Sequence, residues 1–457
     1  MKNITDEQKI YELSRLWKEA AYNFAFWDRV DIDWDGEYKK ALGRVLQTKD
    51  IYEYYRELIR FYALLGDGHT EVSMPMEVLQ DLEYFSMLPV FLWRFGDRTV
   101  VLSVSEQLKD SLPILSELKR VDGIDAEEYI RESCYPYIWH GNEAACGRAA
   151  LNWIMYGRRG SRVTLTFEKD GITYEHTLER GDPTKKSWYN GGIGVQSEDK
   201  TQRVISSSDV HSVRLTEDNI AIIKMTSFAD NTMPEKIYAC FDELKAADGY
   251  ILDVRGNTGG NSSNGFMIAS MFIDGDYICS RSEMQVYEPT YKAWSVFRED
   301  FRGLSLEDAA ERYRDDAESL KTYRSGRNMY YLHDEETVPG GKAPGRLEGP
   351  IVVLMNEYTF SAGEDFVDVM KAHTDAVFIG MSTAGSSGQP LFEMLESGGS
   401  FRICTRRCIA QNGENIYNKG FAPDIPAAQT PEDYAAGFDR AMEKGLEVLR
   451  EKLGIKS

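Results

Sequence analysis

Apolar positions in the first eighty residues recur every three to four residues. Ile10, Leu13, Trp17, Ala20, Ala21 and Phe24 fall on one face of a helix, and Thr5 with Gln8 supplies a capping box ahead of it. The same spacing predicts further helices over 37–46 and 51–65, the last stopped by Gly66 and Gly68. From 84 to 182 the period changes to two. VFLWRF, RTVVLSV, RVTLTFEK and ITYEHTLE read as short strands rich in Val, Thr and aromatics, with a helical insertion at about 134–157. After 218 the chain alternates. NIAIIKM, GYILDVRG, PIVVLMN and AVFIGMS are apolar strands, and MPEKIYACFDELKAA, SNGFMIASMFI and SAGEDFVDVMKAH are the helices between them. Such alternation implies a buried sheet covered by helices. A charged, aromatic stretch at 281–346 with a helical middle interrupts it, and the tail at 431–453 reads as one helix, with Thr430 as cap and Pro431 at its first position.

These patterns divide the chain into a helical domain at 1–82, a β-rich module at 83–183 and an α/β core at 184–457. The formal net charge is −21, a field that repels phosphates and excludes a nucleic-acid partner. No segment has the 18 or more apolar residues of a membrane span, and MKNITDEQKIYELSRLW lacks the apolar core of a signal peptide, so the reading is a cytoplasmic protein with no membrane partner. Six scattered cysteines are then expected to be reduced and buried. Cys404 and Cys408 have no second ligand pair, so neither a metal nor another cofactor is expected.

Two stretches change the picture. GPIVVLMNEYTFSAGEDFVDVMKAH is strand, tight turn, Ser361, helix, which sets a hydroxyl beside the unpaired amides and positive dipole end of a helix. Acyl transfer uses that arrangement; a plain N-cap serine uses it too. Thr359 stands where a GxSxG elbow would need glycine, so an α/β-hydrolase is not supported. ILDVRGNTGGNSSNG ends another apolar strand in Gly256, Gly259 and Gly260, without the GK[ST] of a nucleotide loop. His69, in LLGDGHTEV at 64–72, lies just past a helix end, free to reach out of the helical domain.

In order, DVRGNTGG, NEYTFSAGEDF, GMSTAGSSGQP and NKGFAPDI resemble the motif series of the tail-specific (C-terminal processing) and tricorn-core serine peptidases, and GDGHT matches the segment where tricorn-like members carry a histidine. The β-rich module, with LPVF and RVDGIDAEEYI, is similar to that family's PDZ-like domain. The resemblance implies a ClpP/crotonase-like core with Ser361 as nucleophile. Tail-specific members use a lysine base, but Ser386 occupies its place here, and Lys371 lies ten residues down the Ser361 helix, roughly 15 Å away. The resemblance therefore implies the tricorn-like branch, with His69 as base. His373, twelve residues along the same helix, is about 18 Å away, and His140, His176, His211 and His333 lack a matching context.

The series departs from the tricorn-like pattern at two points. Gly68 replaces the serine before the histidine, and Tyr417 holds the place of a glutamate, with Glu414 three residues earlier. Glu414, Tyr417 and Asp67 are the candidates for orienting His69; Asp67 could instead fix its own loop. The expected oxyanion donors are the amides of Ala362 and of Gly259 or Gly260, and Glu364 reads as a structural first-turn carboxylate. The implied substrate is a peptide or unfolded protein tail, captured by strand addition, with a homo-oligomer left open. The rivals are a binding protein for a peptide or hydrophobic ligand, and a crotonase-type acyl-CoA enzyme that would not need Ser361.

Overall fold

The structure is a computed structural model and describes residues 4–138, 141–194, 202–340 and 343–455. It is a mixed α/β fold with several sheets. Helix Asp6–Asn23 begins with the Thr5–Gln8 capping box, and Asp33 and Asp50 cap helices Trp34–Val45 and Ile51–Ala63. Their core is unusually aromatic. Tyr54, Tyr55, Phe61 and Tyr62 are fully buried, and the hydroxyls of Tyr54 and Tyr62 donate to Glu12 and to the Leu16 carbonyl. Glu12 also accepts the amide and hydroxyl of Ser397 (2.7 Å each), which bolts the helices to a distant hairpin.

The next unit is a sheet built on strands Val90–Phe95, Arg98–Ser105, Glu117–Val121, Arg162–Lys169 and Ile172–Glu179, with helix Glu143–Met155 against it. The central sheet follows. Its strands run in the order Arg203–Ser207, His211–Leu215, Ile220–Met225, Gly249–Asp253, Ile351–Met355, Val377–Gly380, Ile425–Pro426, and every pairing from Ile220–Met225 onward is parallel. GYILD and IVVLM are buried along their whole length because helices cover both faces. The glycine loop, the Ser361 turn and the segment that carries Ser386 leave the carboxyl ends of these strands, where parallel sheets bind ligands.

A second sheet joins the parts. Strand Glu71–Ser73, directly after His69, pairs antiparallel with Ser400–Ile409, which also pairs with Gly388–Met394 and Tyr277–Gln285. The interruption at 281–346 is an antiparallel pair, Tyr277–Gln285 with Tyr331–Val338, carrying helices Pro289–Val296, Leu306–Arg312 and Ala317–Gly326 at its far end. Its helical middle was legible. The arms were not, because YLHDEETV is almost wholly exposed and lacks a buried stripe.

Two expected helices are broken. The tail forms Pro431–Ala436 and Arg440–Leu453, because Gly437 turns left-handed (φ 68°) and Asp439 caps a new helix through the Met442 amide. MPEKIYACFDELKAA likewise divides into Met233–Tyr238 and Phe241–Lys245. Among the described residues no helix is long and apolar enough to cross a membrane.

Candidate active site

The turn after Ile351–Met355 is stitched to the glycine loop. Thr359, which spoils the GxSxG pattern, donates its hydroxyl to the Val254 carbonyl (2.9 Å) and accepts the Asn356 amide (3.1 Å). The Phe360 amide donates to the Asn257 carbonyl (2.9 Å). Ser361 is thereby held at φ 55°, ψ −126°, a strained conformation for a residue with a Cβ. Its hydroxyl makes no N-cap bond to helix Ala362–His373. It lies 2.9 Å from His69 Nε2 instead.

Glycine is required where the two loops meet. At Gly259 (φ 91°) a Cβ would stand 2.6 Å from the Ser361 Cβ, and at Gly260 (φ 133°) it would collide with the backbone of Phe228 and Ala229. The three expected oxyanion donors are not equivalent. The Gly259 amide is already given to Asn257 Oδ1 (2.9 Å), whereas the Ala362 and Gly260 amides have no acceptor among the described residues. Asn257 is fully buried and anchored by its own amide to the Met225 carbonyl, so it will not readily release Gly259.

His69 leaves a loop that is fixed at every residue. The carbonyl of Gly66 accepts the Tyr417 hydroxyl (2.9 Å) and Asn418 Nδ2 (2.8 Å); that of Gly68 accepts Arg402 (3.1 Å). Asp67 Oδ2 accepts the His69 amide (3.1 Å) and the Thr70 hydroxyl (2.7 Å). Of its two readings, Asp67 therefore takes the loop-fixing one. Burial pushes its carboxyl up to about 6. The imidazole stacks on Phe360 (4.5 Å between centroids, 11° between planes) and is 2% exposed. Burial, with nearby Arg402, pushes its pKa down to about 3, so the ring is neutral and its two nitrogens divide into one donor and one acceptor.

The second ring nitrogen meets a residue that sequence reasoning passed over. Ser386 Oγ lies 2.7 Å from His69 Nδ1. Its one visible signal was that it fills the lysine's slot in the motif series; STAGSSGQP offers three serines and no local reason to prefer one. The Ser386 carbonyl accepts the Ser361 amide (3.1 Å), and its amide donates to Glu364 (2.8 Å). The other two orienting candidates are not brought to the ring. Glu414 is exposed and accepts from its neighbour Asn412 (3.3 Å). Tyr417 stacks on Phe26 (4.1 Å) and spends its hydroxyl on Gly66. Nearness to NKGFAPDI along the chain does not bring either to the ring.

The remaining histidines lie on other partners. His176 and His373 bond backbone carbonyls, His211 bonds Ser206 and Ser208, and His333 pairs with Glu283. His140 lies outside the described residues.

Residues 219–427, which supply Ser361, Ser386 and the glycine loop, match the family model described as peptidase family S41. This segment is similar to peptidase family S41. A probable CtpA-like serine protease of Staphylococcus haemolyticus is 23% identical over 304 residues, covering 64% of this chain and 49% of the relative. The chain thus spans about half the length of that relative. A carboxyl-terminal-processing protease of Picosynechococcus is 24% identical over 99% of this chain and 91% of its own. Among solved structures, mature CPAF complexed with lactacystin superposes with a TM-score of 0.67 at 16% identity, over 98% of this chain and 99% of that one. The matched segment supplies both the serine and the turn that strains it; the histidine comes from outside it, from the loop after helix Ile51–Ala63.

Proposed function

We propose that the protein is a serine peptidase that cleaves peptides or unfolded protein tails through an acyl-enzyme on Ser361, with His69 as general base. The observation that carries this reading is the unbroken line Ser361 Oγ, His69 Nε2, His69 Nδ1, Ser386 Oγ, at 2.9 and 2.7 Å, built at the first turn of a helix. In this reading Ser386 accepts the Nδ1 proton, which leaves Nε2 free to act as base.

The cycle follows from that tautomer. The Ser361 hydroxyl attacks the scissile carbonyl carbon while its proton passes to His69 Nε2. The oxyanion takes the amides of Ala362 and Gly260. On collapse the C–N bond breaks, and the proton on Nε2 passes to the leaving amine. Water then attacks the ester, gives a proton to Nε2, and Ser361 leaves reprotonated. The core is of the ClpP/crotonase-like type in this reading, and the module around strands Val90–Phe95 and Arg98–Ser105 is a PDZ-like unit that holds the substrate as an added strand.

The test is intact mass after treatment with a fluorophosphonate, followed by peptide mapping. One adduct per chain on the Ser361 peptide is the expected result. An unlabelled protein would overturn the reading in favour of a binding role, which has no use for an activated hydroxyl.

A further inference from the structure

Glu364 is the third residue of the Ser361 helix, where the dipole alone would explain a carboxylate. Its surroundings ask for more. The side chain is fully buried. Oε1 accepts the Thr383 hydroxyl (2.6 Å) and the Gly385 amide (2.8 Å), and Oε2 accepts the Ser386 amide (2.8 Å). Among the described residues the groups that act on it are hydroxyl and amide donors and the Asp365 carboxylate, with no cation. The Ser386 residue is therefore gripped at its amide by Glu364 and at its carbonyl by the Ser361 amide (3.1 Å), both from one helix. Its hydroxyl, in turn, holds His69 Nδ1.

Each carboxylate oxygen faces an N–H, so a proton on either would set a donor against a donor. We propose that ionised Glu364 is a positioning residue for this site, holding Ser386 and through it His69 in register, and that protonating Glu364 loosens the site and slows acylation. The inference rests on the Ser361–His69 reading above.

Burial pushes the Glu364 carboxyl up to about 7, against the pull of its three donors, with neighbouring Asp365 raising it further. The groups around it are Asp365, bonded to the Ser262 and Ser387 hydroxyls; Arg281, Asp368 and Cys408 on the side away from the site; and His69 across Ser386. His69, held down at about 3, stays neutral throughout the neutral range and contributes no step there. Asp67 and Asp368, each pushed up to about 6, do titrate nearby, so the assignment needs a variant of Glu364 itself. The direction is fixed by chemistry: the carboxylate is charged and competent above about 7, and the rate falls as pH drops through it.

The experiment is the rate of fluorophosphonate inactivation of the full chain from pH 5.5 to 9, resolved into its maximal rate and its half-saturating concentration. Wild type is expected to lose about tenfold in maximal rate per unit below the step. Glu364→Gln keeps the shape but turns an amide NH2 toward one of the donors. It is expected to lower the maximal rate about 10- to 100-fold, leave half-saturation unchanged and abolish the step near 7. Thr383→Val removes a donor to the charged form and is expected to move the step to higher pH. A Glu364→Gln profile that keeps the wild-type step, or a Thr383→Val step that does not move upward, overturns this inference and leaves the peptidase reading standing. Wild type that is not labelled at any pH overturns both.

Discussion

Replacing His69 with alanine is expected to lower kcat/KM for an unfolded protein substrate by about 10⁴- to 10⁶-fold, the same loss as Ser361→Ala. In the proposed mechanism serine and histidine act as one unit, so the double variant is expected to be no worse than either single change. Ser386→Ala should be milder, about 10- to 100-fold, because it removes the group that orients the ring and leaves the base in place. The order of these losses is what the geometry dictates. Nε2 meets the nucleophile at 2.9 Å, and Nδ1 meets a neutral hydroxyl at 2.7 Å. A hydroxyl can accept the Nδ1 proton but cannot supply the counter-charge that a carboxylate gives an imidazolium. In a site where burial already lowers the ring's pKa, that leaves a weak base, and turnover is expected to be slower than with a carboxylate beside Nδ1. Progress curves for the three single variants and the double variant check this. Hydrolysis in His69→Ala within tenfold of wild type would remove His69 from the mechanism.

How the sequence and the structure relate differs from residue to residue. Ser361 was legible because a strand, a turn and a helix announce themselves in periodicity, and the turn's strain follows from packing Thr359 and Phe360 onto the loop at 254–257. His69 was legible as a helix-end residue, and its reach to Ser361 came from resemblance rather than pattern. Ser386 was not legible. It sits 317 residues from His69, and STAGSSGQP gives no local sign of which serine faces the ring, although the fold holds the Gly385 and Ser386 amides on Glu364. The engagement of the Gly259 amide has a local cue. Asn257 stands two residues ahead, the spacing at which an asparagine side chain captures a backbone amide. The broken tail helix is of the same kind: a glycine followed by an aspartate cap is a stop and a start.

Gly259→Ala is expected to remove at least about 100-fold in kcat/KM and about 2–4 kcal/mol of stability, although the change adds a single methyl group. Two terms combine. At φ 91° a residue with a Cβ is strained by about 1–2 kcal/mol before it touches anything. The new methyl then falls 2.6 Å from the Ser361 Cβ and 3.0 Å from the Ala362 amide, so one backbone must yield. Neither can do so freely. Gly259 is bound through its amide to Asn257 and through its carbonyl to the Phe228 amide (2.8 Å), and Ser361 is bound through its amide to Ser386 (3.1 Å). A shift of about 1 Å at the nucleophile is enough for the catalytic loss, since the proton transfer to His69 depends on that geometry. Gly256 provides the control within the same loop. It too has a positive φ, 76°, but a Cβ there meets nothing within 4 Å. Gly256→Ala should therefore carry the conformational term alone, about 1–2 kcal/mol, with kcat/KM within a few-fold of wild type. Thermal unfolding and peptide hydrolysis of the two variants separate strain from collision. Equal rate losses at the two positions would mean that the loop's backbone conformation, and not its contact with Ser361, governs the site.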